Sequence, residues 1–341
     1  MADTILVTGG AGYIGSHACV ELIRAGYRVV VIDNLCNSFD ESINRIERIS
    51  GTRPEFHRLD IRDAAGLETL FAARRFDGVV HFAGLKAVGE SVARPLLYYD
   101  NNISGTVCLL EVMQRHSVRT LVFSSSATVY GDQKVVPVAE TASTGATNAY
   151  GRSKLMIEEI LHDLHASEPG WRIARLRYFN PVGAHATGLM GEDPQGVPNN
   201  LMPYVCQVAV GKLPELRVFG GDYPTPDGTG VRDYIHVVDL ALGHAAALRT
   251  LAQREGMLTV NLGTGHGYSV LDVIRAFEKA SGRKVAHKIV DRRPGDVAMS
   301  YADASLAKEL LGWAAGRSID DMCRDAWNWQ LKNPNGYRAP A

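Results

Sequence analysis

Tyr150 and Lys154 stand four apart in Tyr150-Gly151-Arg152-Ser153-Lys154, inside a helical pattern with apolar Leu155, Ile157, Ile160, Leu161 and Leu164. Residues four apart share one helix face, so an ammonium would lie beside a phenol. A neighbouring positive charge favours phenolate and brings a tyrosine that starts near pKa ~10 toward use as a base nearer neutrality. By itself the spacing also fits an exposed aromatic–lysine pair. Upstream, Thr120-Leu121-Val122-Phe123-Ser124 reads as a strand and exits into Ser124-Ser125-Ser126-Ala127-Thr128-Val129-Tyr130-Gly131. A serine hydroxyl there can bridge the tyrosine and a substrate oxygen. Ser, Tyr and Lys around a nicotinamide make a hydride-transfer site without metal.

A place for that nucleotide lies at the start of the chain. Thr4-Ile5-Leu6-Val7-Thr8 is a β-type run that meets glycines at 9, 12 and 15, and a helical pattern follows. Gly9 can take the angles of a tight turn, and Gly12 leaves no Cβ between main chain and ligand. Gly15 lets the helix pack close to the strand, and the helix N-terminus meets a pyrophosphate. The spacing is GxxGxxG rather than the common GxGxxG, which alone is weak. Context strengthens it: Arg28-Val29-Val30-Val31-Ile32 reads as the next strand and ends at Asp33, placed to hold the adenosine ribose hydroxyls. That carboxylate would repel a 2′-phosphate, so NAD is expected over NADP.

The elements that must position these residues alternate. Glu55 to Ile61, Gly78 to Phe82, Thr120 to Ser124 and Trp171 to Phe179 read as further strands, with Asp60 at the exit of the first. Gly66–Arg74 and a long amphipathic stretch, Pro95–His116, read as helices between them. The expected class is α/β, a doubly wound parallel sheet (Rossmann-like), with ligands at the carboxyl ends of the strands, where Gly9, Asp33, Asp60, Phe82 and Ser124 fall. Beyond Asn180 glycine, proline and asparagine become dense. The expected division is residues 1–180 for the dinucleotide and a smaller α/β substrate domain over 181–341. Segments such as 237–260 are expected to pack back on the first domain.

The 341 residues carry 36 basic and 37 acidic side chains, so charge makes no case for nucleic acid or an anionic membrane. No apolar run approaches the roughly 18 residues of a membrane span. The first strand begins too early for a signal peptide, and five scattered cysteines fit a reducing cytoplasm. His162 and His165 are a possible ligand pair without a third ligand, and a solvated helix face is the expectation.

Taken together, these runs resemble the extended short-chain dehydrogenase/reductases and, within them, the UDP-hexose 4-epimerase family. The resemblance covers essentially the whole chain. Its more particular stretches are His81 to Ser91, Ser124 to Gly131, Arg177 to Ala184, Asn199 to Pro203 and Gly228 to Val237. It implies interconversion of UDP-galactose and UDP-glucose through a transient 4-keto sugar, with NAD tightly held. Tyr150 would take the proton of the sugar 4-hydroxyl, Ser126 would orient the 4-oxygen, and Lys154 would tune Tyr150 and grip the ribose.

By the same resemblance the NAD site would draw on Gly9, Gly12, Tyr13, Ile14, Gly15, Asp33, Asn34, Leu35, Cys36, Asn37, Ser38, Asp60, Ile61, Phe82, Ala83, Gly84, Lys86, Asn101 and Tyr178, along with Ser126, Tyr150 and Lys154. The UDP-sugar would meet Phe179, Asn180, Asn200, Leu201, Arg217, Phe219, Arg232, Arg293, Asp296 and Ser300, beside Ser126 and Tyr150. Guanidinium forks such as Arg232 and Arg293 suit a diphosphate. Ser300 matches a position that gates the sugar pocket, and a small residue there implies that N-acetylhexosamine sugars are accepted too; a slip of one would put Tyr301 at the gate. The family implies a homodimer, pairing helices for which Pro95–His116 and Asn148–Ala166 are the candidates. Two rivals share the fold. A nucleotide-sugar 4,6-dehydratase needs an acid/base pair after the serine, where this chain has Ala127 and Thr128. A non-catalytic dinucleotide sensor need not keep Ser126, Tyr150 and Lys154 together.

Overall fold

The computed structural model describes residues 2–293 and 296–338. Six strands come first: β1 (Thr4–Thr8), β2 (Arg28–Asp33), β3 (Glu55–Arg58), β4 (Gly78–His81), β5 (Thr120–Ser126) and β6 (Arg172–Tyr178). The short β7 (Asn180–Val182), β8 (Leu216–Phe219) and β9 (Val231–His236) follow, then β10 (Gly256–Leu262). The last are β11 (Gly267–Ser269), β12 (His287–Val290) and β13 (Met299–Ser300).

The central sheet has seven strands in the order β10-β6-β5-β4-β1-β2-β3. Every pairing in it is parallel. Strands buried on both faces read as continuous apolar runs, as Ile5-Leu6-Val7 and Val29-Val30-Val31-Ile32 do. One core cluster fills each side: Ile5, Val7, Val29 and Val31 on one, Leu6, Val30, Ile32 and Phe123 on the other. Strand order reverses between β1 and β4, which opens the crevice where such sheets take ligands.

Two expectations need correction. The third strand ends at Arg58, so Asp60 and Ile61 lie in the turn after it. The long helix expected over Pro95–His116 is interrupted by a π-type turn at Tyr99–Ser104 before regular helix resumes at Gly105–Arg115. Asn102 within that turn is pinned sideways: its Oδ1 accepts from Leu85 N at 2.8 Å and its Nδ2 donates to Ser153 Oγ at 3.1 Å. Such wide turns recur at functional sites.

The later half supplies β10 to the first sheet, and the helix before it, Val237–Gln253, packs on that sheet beside the helix Tyr13–Arg24. The rest forms a small sheet of β7, β9, β11 and β13 and a β8–β12 pair. Helices Leu201–Ala209, Val270–Ser281 and Ile319–Lys332 cover these with a separate core around Val205, Phe277 and Trp327. Among the described residues no helix is long and apolar enough to cross a membrane.

Candidate active site

The turn after β1 is shaped for close approach. Gly9 has φ +68°, and a Cβ on it would lie 2.7 Å from Ala83 N. A Cβ on Gly15 would lie 2.2 Å from Gly9 O, so helix and turn could not pack as they do with any larger residue. Gly12 caps the helix Tyr13–Arg24 without a side-chain hydrogen bond, leaving its first N–H groups to meet an anion. Asp33, at the end of β2, reaches back to accept from Ala11 N at 3.1 Å and also holds Leu35 N and Ser38 Oγ. Burial pushes its pKa up, and these hydrogen bonds pull the other way. Next to it, Asn34 Nδ2 donates to Asp60 Oδ2 at 2.8 Å, while Arg62 holds the Asp60 carboxyl well below its usual range. The sequence-derived nucleotide residues from β1, β2 and the β3 exit thus surround one crevice.

On the other side of the crevice, Tyr150 and Lys154 lie on the helix Ala149–Ser167, both buried. Asn148 caps that helix by accepting from Gly151 N at 2.9 Å. Lys154 Nζ donates to Ser124 O at 2.8 Å and lies 4.8 Å from the centre of the Phe123 ring. Burial lowers the Lys154 pKa to about 8, with Glu158 acting in the opposite direction. Tyr150 differs from the expectation of a phenol lowered by its lysine. Burial raises its pKa, Tyr178 adds to the rise, and a hydrogen bond with Ser126 works against it. The ammonium is turned to the strand end rather than to the phenol. Ser126 closes β5 beside Tyr178 of β6 and accepts from Thr128 N and Oγ1 at 3.2 and 2.9 Å.

Lys86 joins the two halves. Its Nζ lies 2.9 Å from Glu192 Oε1 and faces the Tyr13 ring at 5.7 Å. Burial opposes its charge, but Glu192 more than offsets this and the pKa is raised. The same Glu192 oxygen accepts from Asn200 Nδ2 at 2.8 Å, at the N-terminus of the helix Leu201–Ala209. Tyr13 Oη donates to Gly183 O, just past β7.

The remaining residues read for the sugar nucleotide come from several elements. Phe179 is buried against Val129, Tyr130 and Ala302, and Asn180 opens β7. Arg293 lies over the Phe219 ring at 4.6 Å and donates to Asp296 Oδ2 at 3.0 Å. Arg232 of β9 is in register with Ser300 of β13, whereas Arg217 is exposed on β8. Glu192, Asn102 and the Glu158–Arg177 pair were missed from sequence. Only Glu158, one turn beyond Lys154, carried a signal in its spacing. Among the described residues no cluster of His, Cys, Asp or Glu could hold a metal.

Fold and site together define a nucleotide-binding short-chain dehydrogenase/reductase with a second, smaller region built on its own core. The family model described as GDP-mannose 4,6 dehydratase matches residues 6–326. The UDP-glucose 4-epimerase of Bacillus subtilis is 57% identical over 335 residues, 98% of this chain and 99% of the relative. The solved structure of the Stenotrophomonas maltophila UDP-glucose-4-epimerase, with bound NAD and formylated UDP-arabinopyranose, matches with TM-score 0.96 at 57% identity, over 97% of this chain and 99% of that one. That of Bifidobacterium longum, in complex with NAD+ and UDP, matches with TM-score 0.95 at 56% identity, over 98% and 99%. The chain belongs to the UDP-glucose 4-epimerase family, within the broader group that the dehydratase model describes.

Proposed function

We infer that this chain interconverts UDP-galactose and UDP-glucose, using NAD held in the crevice between β1 and β4. The observation that carries this reading is the gathering of Ser126, Tyr150 and Lys154 at that crevice, in a chain so similar to epimerases along its length. The glycine turn fits a dinucleotide, because Gly9 and Gly15 let the turn and helix close tightly where a Cβ would strike backbone, and no side chain caps the helix N-terminus at Gly12. Asp33 fits an adenosine ribose with free hydroxyls. Bound NAD supplies an acceptor for the hydride of sugar carbon 4 and, as NADH, a donor to the opposite face of the 4-keto sugar.

The protein's own part is to move one proton and hold the pieces. Tyr150 takes the proton of the 4-hydroxyl and later returns it, with Ser126 holding the 4-oxygen. Lys154 grips the nicotinamide ribose and contributes positive charge. The buried phenol is a poor base until positive charge lies near it. Arg232, Arg293 and Asn200 hold the diphosphate, while Phe179 and Phe219 offer apolar walls. Ala127 and Thr128 after Ser126 supply no acid/base pair, which argues against 4,6-dehydration despite the family model's description.

Three finer readings go with this. Residues 1–180 form the NAD domain and 181–341 the sugar domain, with segments such as 237–260 packing back on the first. The chain works as a homodimer in the cytoplasm. Support for the dimer is exposed apolar side chains on the two stretches expected to pair, Leu96 (79% exposed) on one and Met156 (42%) on the other. N-acetylated UDP-sugars are accepted as well, because Ser300 leaves space at the pocket wall. The test of the main reading is the near-ultraviolet spectrum of the purified protein on mixing with UDP-galactose. Retained nicotinamide and a band of reduced cofactor, with UDP-glucose formed without added NAD, are expected. Release of a 4-keto-6-deoxy sugar would overturn it in favour of dehydration.

A further inference from the structure

Behind the site lies a buried carboxylate that the mechanism above does not use. Tyr150, Lys154 and Glu158 are spaced four apart on one helix, at 6, 4 and 1% exposure. Glu158 Oε1 accepts from Ser125 Oγ at 2.6 Å and from Arg177 Nε at 2.9 Å, and Arg177 Nη2 closes the pair on Oε2. Ser125 and Arg177 are cross-strand neighbours on β5 and β6; the next register pair is Ser126 with Tyr178. One carboxylate therefore joins three segments, each a step or a turn from a residue of the site.

We propose that Glu158 is a positioning residue for the epimerisation: it locks the helix of Tyr150 and Lys154 to the strand ends of Ser126 and Tyr178, and cancels the charge of Arg177 behind Lys154. The inference rests on the function proposed above.

The charges around Lys154 make this specific. From its own helix come Tyr150 and Glu158. From β5 come Ser124 O and the Phe123 ring, and from β4 the buried His81, which Lys154 helps to keep neutral. From β6 come Arg177 and Arg175, the latter donating to Glu158 O at 3.1 Å. Tyr130 lies under the Arg177 guanidinium, and Glu140 O accepts from it. Glu158 is the carboxylate that pairs directly with Arg177; the Glu140 carboxyl accepts from Asn261 N at 2.7 Å and meets the Arg177 charge without a hydrogen bond to it. With the Glu158 charge removed, Arg177 stays protonated and loses its paired carboxylate, leaving Glu140 as the remaining negative charge. Tyr150 and Lys154 both then lose protons more readily, and both limbs of a bell-shaped pH profile move to lower pH.

The test compares Glu158→Gln, Glu158→Asp and the double variant Glu158→Gln/Arg177→Met in the full-length, NAD-loaded protein. The pH dependence of kcat and KM for UDP-galactose is measured in each. In Glu158→Gln the whole kcat profile should move to lower pH by about one unit and lose height, with KM little changed. The double variant, with neither charge, should return to the wild-type position. Glu158→Asp keeps the charge but not the reach, so it should lose height without moving. The ultraviolet phenolate signal of Tyr150, read against the matching Tyr150→Phe protein, should follow the acid limb. A Glu158→Gln profile that falls without moving means a merely structural role and overturns the proposal. If Glu158→Gln does not fold, Glu158→Asp at wild-type height overturns it as well. Should Tyr150→Phe retain normal turnover in the same assay, the underlying catalytic reading fails instead.

Discussion

A buried phenol next to a lysine turned elsewhere is an unusual base, and that sets what removing it should do. Tyr150 is pushed up by burial, so its proton leaves only when charge in the loaded site favours phenolate. Tyr150→Phe removes the hydroxyl and little else. It should keep fold and NAD while kcat falls by about 10²–10⁴-fold or more. Lys154→Met should also be severe and should loosen NAD, because the same ammonium grips the ribose. The double variant should lose less than the product of the two losses, since the pair acts as one unit. Steady-state turnover together with the ratio of bound nicotinamide to protein checks all three; near-normal kcat in Tyr150→Phe would remove Tyr150 from the mechanism. At this scale the sequence was most readable. The placement of Gly9, Asp33, Ser126, Tyr150 and Lys154 could be read from type and spacing, because a turn, a strand end or one helix face fixes each locally. Glu192 was not readable: its contacts with Lys86 and Asn200 depend on segments 106 and 8 residues away that only the fold brings together.

Strand alternation decides which of two adjacent residues faces the sugar. Ser300 and Ala302 are two apart and share a face in extended chain. Ala302 packs with Phe179 and Val129, beside the Ser126 end of β5. Tyr301 points the other way, its ring 3.1 Å from where a Cβ on Gly267 would sit. This supports Ser300 as the gate in the reading proposed above, in which a serine leaves to an acetamido group the volume a tyrosine ring would take. UDP-N-acetylglucosamine should therefore be turned over within about tenfold of UDP-glucose, ~1.4 kcal/mol in transition-state binding. Ser300→Tyr should lose the N-acetyl activity and retain that on UDP-galactose. Parallel assays on the two sugar pairs check it, and a wild type with brisk UDP-galactose turnover but no N-acetyl activity would point back to Tyr301. Among elements, β1, β2, β4, β5 and β6 were readable to within a residue or two because most of them carry a dense apolar run. By contrast β3 (Glu-Phe-His-Arg) ends three residues earlier than expected, and the short strands of the later half were not readable. The π-type turn was not, since Asn102 follows ordinary helical spacing and its wide turn depends on Leu85 and Ser153. Nor was β10 as an edge strand: Gly256–Leu262 pairs with β6 from the far side of the inserted sugar region.

At the scale of the whole molecule the buried histidines govern how the fold meets acid. His17, His81 and His244 are buried on the helices or strands that frame the central sheet. His81 is held between Thr8 Oγ1 and Thr106 Oγ1, and His244 stacks on Phe82 at 4.6 Å. Burial lowers the pKa to about 3 for His17 and His81 and to about 4 for His244 and for the buried His185. An unfolded histidine titrates near pKa ~6.5, so below that pH the unfolded chain binds protons that the folded chain refuses. Stability is then lost as pH falls through ~6.5, and the loss levels only near the folded values. Each such group contributes about 1.4 kcal/mol per pH unit over that window, and the four together roughly 5. The urea midpoint of the NAD-loaded protein should accordingly drop steeply between about pH 6 and pH 4.5, and hold nearly level between about pH 7 and pH 8. His81→Asn should reduce that slope by about a quarter, because one fewer proton is taken up on unfolding. A midpoint that is flat down to pH 5, or a slope that His81→Asn leaves unchanged, would show that these imidazoles are not neutral in the folded protein.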